Sequence, residues 1–151
     1  MSGYVAAKLG QVRLAEIIHA ENFKDYNIRC FAYHPGCIKT RFFTDFEAKA
    51  LGKPVTGANY AGGTSLDEKS MKSARVAYET LKDETFDSSR MAAGLVTALS
   101  AGRLDFMSGR YLDAAVDIQH YIDHKDEIIA KDLFRVRLNM GDGDLIPTLK
   151  F

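Results

Sequence analysis

The chain has 151 residues, of which 46% are apolar, a size and composition that fit a single globular domain with an ordinary core. Lys plus Arg and Asp plus Glu each number 20, so the formal net charge is zero; this gives no electrostatic case for nucleic acid or an anionic membrane, and it removes one barrier to self-association. No apolar run approaches the roughly 20 residues that cross a bilayer, and Met1, leading straight into helix-like sequence with no visible signal peptide, suggests a natural short product; the two isolated cysteines, Cys30 and Cys37, suggest a reduced, cytoplasmic protein.

Tyr4–Phe23 predicts a helix. It is alanine-rich, has no proline, and carries a single internal glycine, Gly10. Its apolar positions, Val5, Leu9, Val12, Leu14, Ile17 and Ile18, spread over an arc wider than one stripe. Such a helix buries more than one side, against a partner subunit or inside its own monomer. Tyr4 and Lys8 are four residues apart, one turn on one face. An ammonium that close to a phenol favours the phenolate and makes the tyrosine a better proton donor and acceptor. His19, in an otherwise apolar stretch, reads as packing or interface.

Asp25-Tyr26-Asn27 predicts a turn, and Ile28–His34 a buried strand closed by Pro35-Gly36. Cys30 reads as a core filler, and Cys37 falls in the loop. His34 sits at the carboxyl end of the strand, where α/β sites form, and is read as structural rather than catalytic. Thr40–Leu51 predicts a helix whose Phe42, Phe43 and Phe46 close a core rather than line a pocket.

Gly52–Thr64 is the loosest stretch. Gly57 and Gly62-Gly63-Thr64 have the spacing of a phosphate loop, but glycine stands where the lysine belongs, so a nucleotide cradle is not expected there. Leu66–Leu81 predicts a polar helix. Asp87-Ser88 predicts an N-cap for a helix Ser89–Leu99, with Met91, Ala92, Leu95, Val96 and Leu99 on its apolar face. Phe106–Ala114 carries a second short strand around Arg110-Tyr111-Leu112. Asp117–Ala130 predicts one helix, with a short extension over Lys131–Leu138 and a partly docked tail over Met140–Phe151. His120 and His124 have a zinc-compatible spacing beside Asp117 and Asp123, but without a third ligand at a matching interval they read as a solvated face, and no metal is expected.

The order of Tyr4–Lys8, a long helix, an apolar strand and His34-Pro-Gly-Cys-Ile-Lys-Thr40 resembles the second half of a short-chain dehydrogenase/reductase (SDR). Leu104–Leu112 and Lys131–Arg137 are also similar to that family, and closest to its fungal members. The resemblance covers most of the chain and is faint over residues 43–88. It implies that Tyr4 and Lys8 are the catalytic pair. Lys8 would also hold the cofactor ribose, with Pro35, Gly36, Ile38 and Thr40 against the nicotinamide of NAD(P). The family's glycine-rich loop, catalytic serine and helix asparagine precede the tyrosine and have no counterpart here.

The fold this implies is α/β: a truncated Rossmann-like fold, mostly helical, with two parallel strands per chain completed by a partner. The expected plan is a single domain over 1–151. Residues 1–42 form the catalytic helix and strand, 43–88 a lid-like region, 89–138 a helix-strand-helix and 139–151 a tail. An apolar strand without its neighbour invites pairing with another chain, so a homodimer or association with a separate N-terminal half is expected. Three functions remain open. One is an NAD(P)-dependent oxidoreductase of a small carbonyl or hydroxyl compound, if the missing half is supplied. Another is a cofactor-independent isomerase, dehydratase or cyclase. The third is a non-catalytic interaction protein.

Overall fold

A computed structural model describes residues 2–55 and 67–137. The Gly57–Thr64 stretch, the start of the Leu66–Leu81 prediction, Leu138 and the 140–151 tail lie outside the described residues. Two compact units emerge: residues 1–34 with 95–151, and residues 35–94.

The first unit opens on α1, Ser2–Tyr26. Asn27 ends it with φ 55, and its N–H donates to the Phe23 carbonyl. Asparagine tolerates that left-handed conformation better than most residues. The predicted turn is therefore a single left-handed residue. β1 (Ala32–His34) runs parallel to β2 (Tyr111–Asp113), with Ala32 opposite Tyr111 and His34 opposite Asp113. Among the described residues this two-stranded sheet is the whole of the β structure, so the chain is mostly helical with a small parallel sheet, as expected.

β1 is much shorter than the predicted Ile28–His34. The reason lies opposite it. Gly109 has φ +75 and follows a 3₁₀ turn, Asp105–Met107, so the approach to β2 cannot present a regular ladder. Cys30 is held irregularly instead: its carbonyl accepts from the Gly109 N–H, and its own N–H donates to Ser108 Oγ.

After β2, Asp117 caps α5 (Ile118–Asp123) by accepting from the Gln119 N–H at 2.8 Å. The predicted single helix over 117–130 is two helices. His124 leaves helical geometry at φ −103, ψ 14, and its Nδ1 lies 2.8 Å from the His120 carbonyl, before α6 (Lys125–Ala130) begins. A side chain competing for a backbone acceptor breaks the run. The predicted extension over 131–138 is not helical where described, since Asp132 and Phe134 both have positive φ. The Phe134 carbonyl instead accepts from the Tyr111 N–H of β2.

The core of this unit is Leu95, Ala98, Leu104, Met107, Leu112, Tyr121 and Ile128, all buried. The Tyr121 hydroxyl accepts from the Asp113 N–H at 2.9 Å, which ties α5 to β2. Burial pushes its phenol above the usual range.

The second unit holds α2 (Arg41–Ala50) and α3 (Glu68–Leu81), packed together. Asp67 caps α3 by accepting from the Ser70 N–H at 2.8 Å. Phe43 is buried against Phe86, ring centroids 4.8 Å apart, and against Tyr78 at 6.2 Å. Phe42 is exposed and meets Phe46 edge-on. Of the three phenylalanines, Phe43 supplies most of the core. α4 (Ser89–Ser100) begins in this unit and ends in the first. Ser88 Oγ accepts from the Arg90 N–H at its start, whereas Asp87 of the expected cap pair is turned to the Pro-Gly loop.

Candidate functional site

Tyr4 and Lys8 lie near the start of α1. Lys8 Nζ sits 5.6 Å from the centroid of the Tyr4 ring, a cation over a π face. The same ammonium donates to Gln11 Oε1 at 3.3 Å. Helical spacing brings the pair together, as the sequence predicts. Tyr4 is 50% exposed, and every residue from Ser2 to Gln11 is exposed.

The other expected site residues belong to the second unit. Pro35 and Gly36 lead into a tight turn in which Asp87 grips Cys37 twice. Its carboxylate accepts from the Cys37 N–H at 2.8 Å, and its N–H donates to the Cys37 carbonyl at 2.7 Å. Gly36 has φ +92, and a Cβ there would lie 2.5 Å from Met91 Cε and 2.7 Å from Asp87 Oδ2. The glycine is therefore required, and the chain's own side chains fill the space beside it. Thr40 begins α2 through its carbonyl, which accepts from Phe43 and Thr44, while its hydroxyl makes no capping bond. Ile38 is half-buried and accepts from the Thr40 N–H at 2.8 Å. Lys39 lies over both Phe43 and Phe86, 5.6 Å from each centroid.

The histidines are accounted for locally. His34 Nδ1 faces Asp113 Oδ1 at 3.9 Å across the paired strand ends. The rings of His120 and His124 stack at 4.2 Å, and no group of three potential ligands for a metal occurs among the described residues. His19 Nδ1 lies 2.8 Å from the buried Ser108 Oγ. Burial first, and then Arg135 and Arg110, push its imidazole below the usual range, so it stays neutral at neutral pH.

One cluster of charge escapes a sequence reading. Glu16, in the apolar run Leu14–Ile18, is only 6% exposed. Its carboxylate accepts from Arg13, from the Val136 N–H and from Arg137 Nη1 at 3.3 Å. Burial raises its pKa, but these partners outweigh it and hold the carboxyl below the usual range. Asp132 is the second carboxylate. It pairs with Arg110 at 3.1 Å, with Arg135 at 3.2 Å and with Arg137. Burial again opposes ionisation, and the arginines again prevail. The available signals were a lone glutamate inside an apolar helix and the alternation Arg135-Val136-Arg137.

No family model matches the chain, and no solved structure matches it. Over 137 residues, 91% of its length, the chain is 26% identical to a protein described as short chain dehydrogenase pigC of Monascus ruber. The chain spans 36% of the length of that curated relative. No helix among the described residues is long and apolar enough to cross a membrane. The sequence is thus distantly similar to a short-chain dehydrogenase along nearly all of its own length.

Proposed function

We propose that this chain is the C-terminal part of an SDR-like oxidoreductase acting on a small carbonyl or hydroxyl compound. Tyr4 exchanges a proton with the substrate oxygen, and Lys8 supplies the neighbouring positive charge. The observation that carries this reading is the 26% identity to a short chain dehydrogenase over 137 residues, 91% of the chain, together with the motif order Tyr4, Lys8 and then Pro35-Gly36 in the sequence. The 5.6 Å approach of Lys8 to the Tyr4 ring supports it.

The fit of NAD(P) to the described residues is incomplete. The space beside Gly36 is taken by Met91 and Asp87, and the resemblance places the phosphate loop ahead of Tyr4. Pro35, Gly36, Ile38 and Thr40 would line only the nicotinamide end, and Lys8 the ribose. No hydride step is derived from these residues; what they offer is proton exchange at the Tyr4 hydroxyl. Redox activity therefore needs an N-terminal half from a longer chain or from a partner.

A partner is also favoured by the bare surface of α1. Val5, Leu9, Leu14 and Ile17 are all exposed, an unusual density of large apolar side chains on one helix. A second copy of the chain, or the missing half, would cover them. Light scattering after size exclusion tests this, and a stable 16.8 kDa monomer at micromolar concentration ends it.

The catalytic reading is tested by titration with NADPH and NADH, followed by turnover of small ketones in wild type and Tyr4→Phe. Loss of turnover in the variant is expected. A rate that survives intact means the phenol is not the proton donor.

A further inference from the structure

The loop that carries Pro35, Gly36, Ile38 and Thr40 is pinned from outside, by a residue that is not among the expected site residues. Asp87 stands fifty residues beyond Cys37 and just ahead of α4. Its carboxylate accepts from the Cys37 N–H at 2.8 Å, and its own N–H donates to the Cys37 carbonyl at 2.7 Å. One residue thus takes both backbone groups of Cys37. Two bonds fix both the place and the rotation of that stretch of chain, where a single bond would let it swing. One of them ends on a carboxylate, the stronger kind of hydrogen bond.

The same side chain packs on Gly36. A Cβ at Gly36 would lie 2.7 Å from Asp87 Oδ2, 3.2 Å from Asp87 Cβ and 2.5 Å from Cε of Met91, in the first turn of α4. Gly36 also has φ +92, which glycine adopts without strain. Downstream, the Ile38 carbonyl accepts from the Thr40 N–H, and Thr40 begins α2. The loop is therefore strung between two fixed points, the Asp87 clamp and the start of α2.

We propose that Asp87 is the positioning residue of this loop, holding Pro35, Gly36, Ile38 and Thr40 in the shape that meets the nicotinamide end of the cofactor. This rests on the function proposed above, which gives those four residues that role. Asp87 acts through the Cys37 backbone and not on a reacting atom. A loop binds its ligand in proportion to the time it spends in the competent shape, and a supporting bond of this kind keeps that fraction high. A purely structural bond would cost stability and leave ligand affinity alone.

The test compares the wild-type chain with Asp87→Ala and Asp87→Asn, since asparagine keeps an acceptor oxygen for the Cys37 N–H. Two quantities are read: hydrogen exchange at the Cys37 amide, and affinity for reduced nicotinamide mononucleotide, which needs no pyrophosphate site. Asp87→Ala should speed exchange at Cys37 at least about tenfold and weaken the mononucleotide at least about threefold. The Cys30 amide, bonded to Ser108 Oγ, should exchange as before and so report that the fold is intact. Asp87→Asn should bring both quantities to within about twofold of wild type. Asp87→Glu keeps the charge but moves the carboxylate out by one methylene. It should weaken the mononucleotide as well, and it decides the matter if the alanine variant does not fold. Mononucleotide affinity that ignores Asp87→Ala while Cys37 exchange rises would overturn the proposal, because the clamp would then be structural only. Unchanged exchange at Cys37 would overturn it too. A wild-type chain that binds no mononucleotide overturns it by removing the nicotinamide reading of the loop, and the exchange rates tell that failure apart from a failed clamp.

Discussion

The two ends of α1 are held very differently. From Ser2 to Gln11 every side chain is exposed, and this is the end that carries Tyr4 and Lys8. From Arg13 to Phe23 the helix is tied to the rest of its unit. Ala15 and Glu16 are buried, Glu16 grips Val136 and Arg137, His19 meets Ser108, and the Phe23 ring stacks on His19 at 4.7 Å. The residues with a readable chemistry are thus the least supported, and the residues that anchor the helix have no chemical motif. A site that must be positioned within fractions of an ångström needs a supporting shell. The exposed end of α1, which carries Tyr4, Lys8 and the apolar side chains around them, is where the proposed partner would add such a shell.

The largest expected effect is at the anchored end. Gly109 has φ +75, and a Cβ there would come within 2.8 Å of the His19 ring. Gly109→Ala combines a left-handed penalty with a clash against a ring that is itself hydrogen-bonded to Ser108. The expected loss is on the order of 3 kcal/mol, read as a lowered urea midpoint. A loss below about 1 kcal/mol would mean that His19 yields freely and does not anchor the helix.

The next is Glu16→Gln. The variant keeps the shape and removes the charge that meets Arg13 and Arg137. Both arginines are half exposed, so the loss falls below that of a fully buried pair, at about 2 kcal/mol. Its pH dependence has a definite sign. Glu16 and Asp132 both have carboxyls held below the usual range. They contribute stability that is present above the ordinary carboxylate pKa and lost as pH falls through their folded values. His19 is depressed as well, so the native state resists its protonation and stability begins to fall as pH drops below about 6.5. Acid titration of the wild type should therefore show decline in two stages, and Glu16→Gln should flatten the lower one. An unchanged lower stage would remove Glu16 from the anchor.

Much of this was legible in the sequence, and the parts that were not share a cause. The periodicity of residues 4–23 gave α1, the Pro-Gly pair gave the end of β1, and the four-residue spacing of Tyr4 and Lys8 gave their approach. Local signals suffice for local features. β1 came out too long because its length depends on Gly109 and Ser108, far away in sequence, which do not continue the ladder. The helix over 117–130 hid its break at His124, since histidine is not a helix breaker by type and acts here through one side-chain contact. Asp87 has the local signature of half a helix cap, but it spends its carboxylate on Cys37, fifty residues away. The Glu16–Asp132 network was missed for the same reason: Glu16 and Arg137 are 121 residues apart, and nothing near either one marks the other.

A smaller effect tests whether the anchor reaches the sheet. The Tyr121 hydroxyl accepts from the Asp113 N–H of β2 at 2.9 Å and lies 3.4 Å from the Asp113 carbonyl. Tyr121→Phe keeps the buried ring and leaves that N–H without its acceptor. The expected cost is about 1 kcal/mol, with faster hydrogen exchange at the Asp113 amide. Exchange that stays unchanged would show that another group holds this end of β2.

The smallest effect belongs to the bare end, and it separates two meanings of exposure. If Tyr4 and Lys8 are held only by their own helix, Tyr4→Phe and Lys8→Met should each change stability by less than about 0.5 kcal/mol, since neither side chain is buried. A cation over an exposed aromatic ring contributes little beyond that. If instead a second copy or a supplied N-terminal half covers this end, the same substitutions should stay neutral in the isolated chain but weaken the assembly. Measuring each variant alone and at concentrations where the chain associates distinguishes the two. A large loss in the isolated chain would contradict the contrast between the two ends of α1. A neutral result in both states would leave the pair free to act only as a proton donor and its neighbouring charge, because a residue with no part in stability or assembly can have its role read directly from turnover.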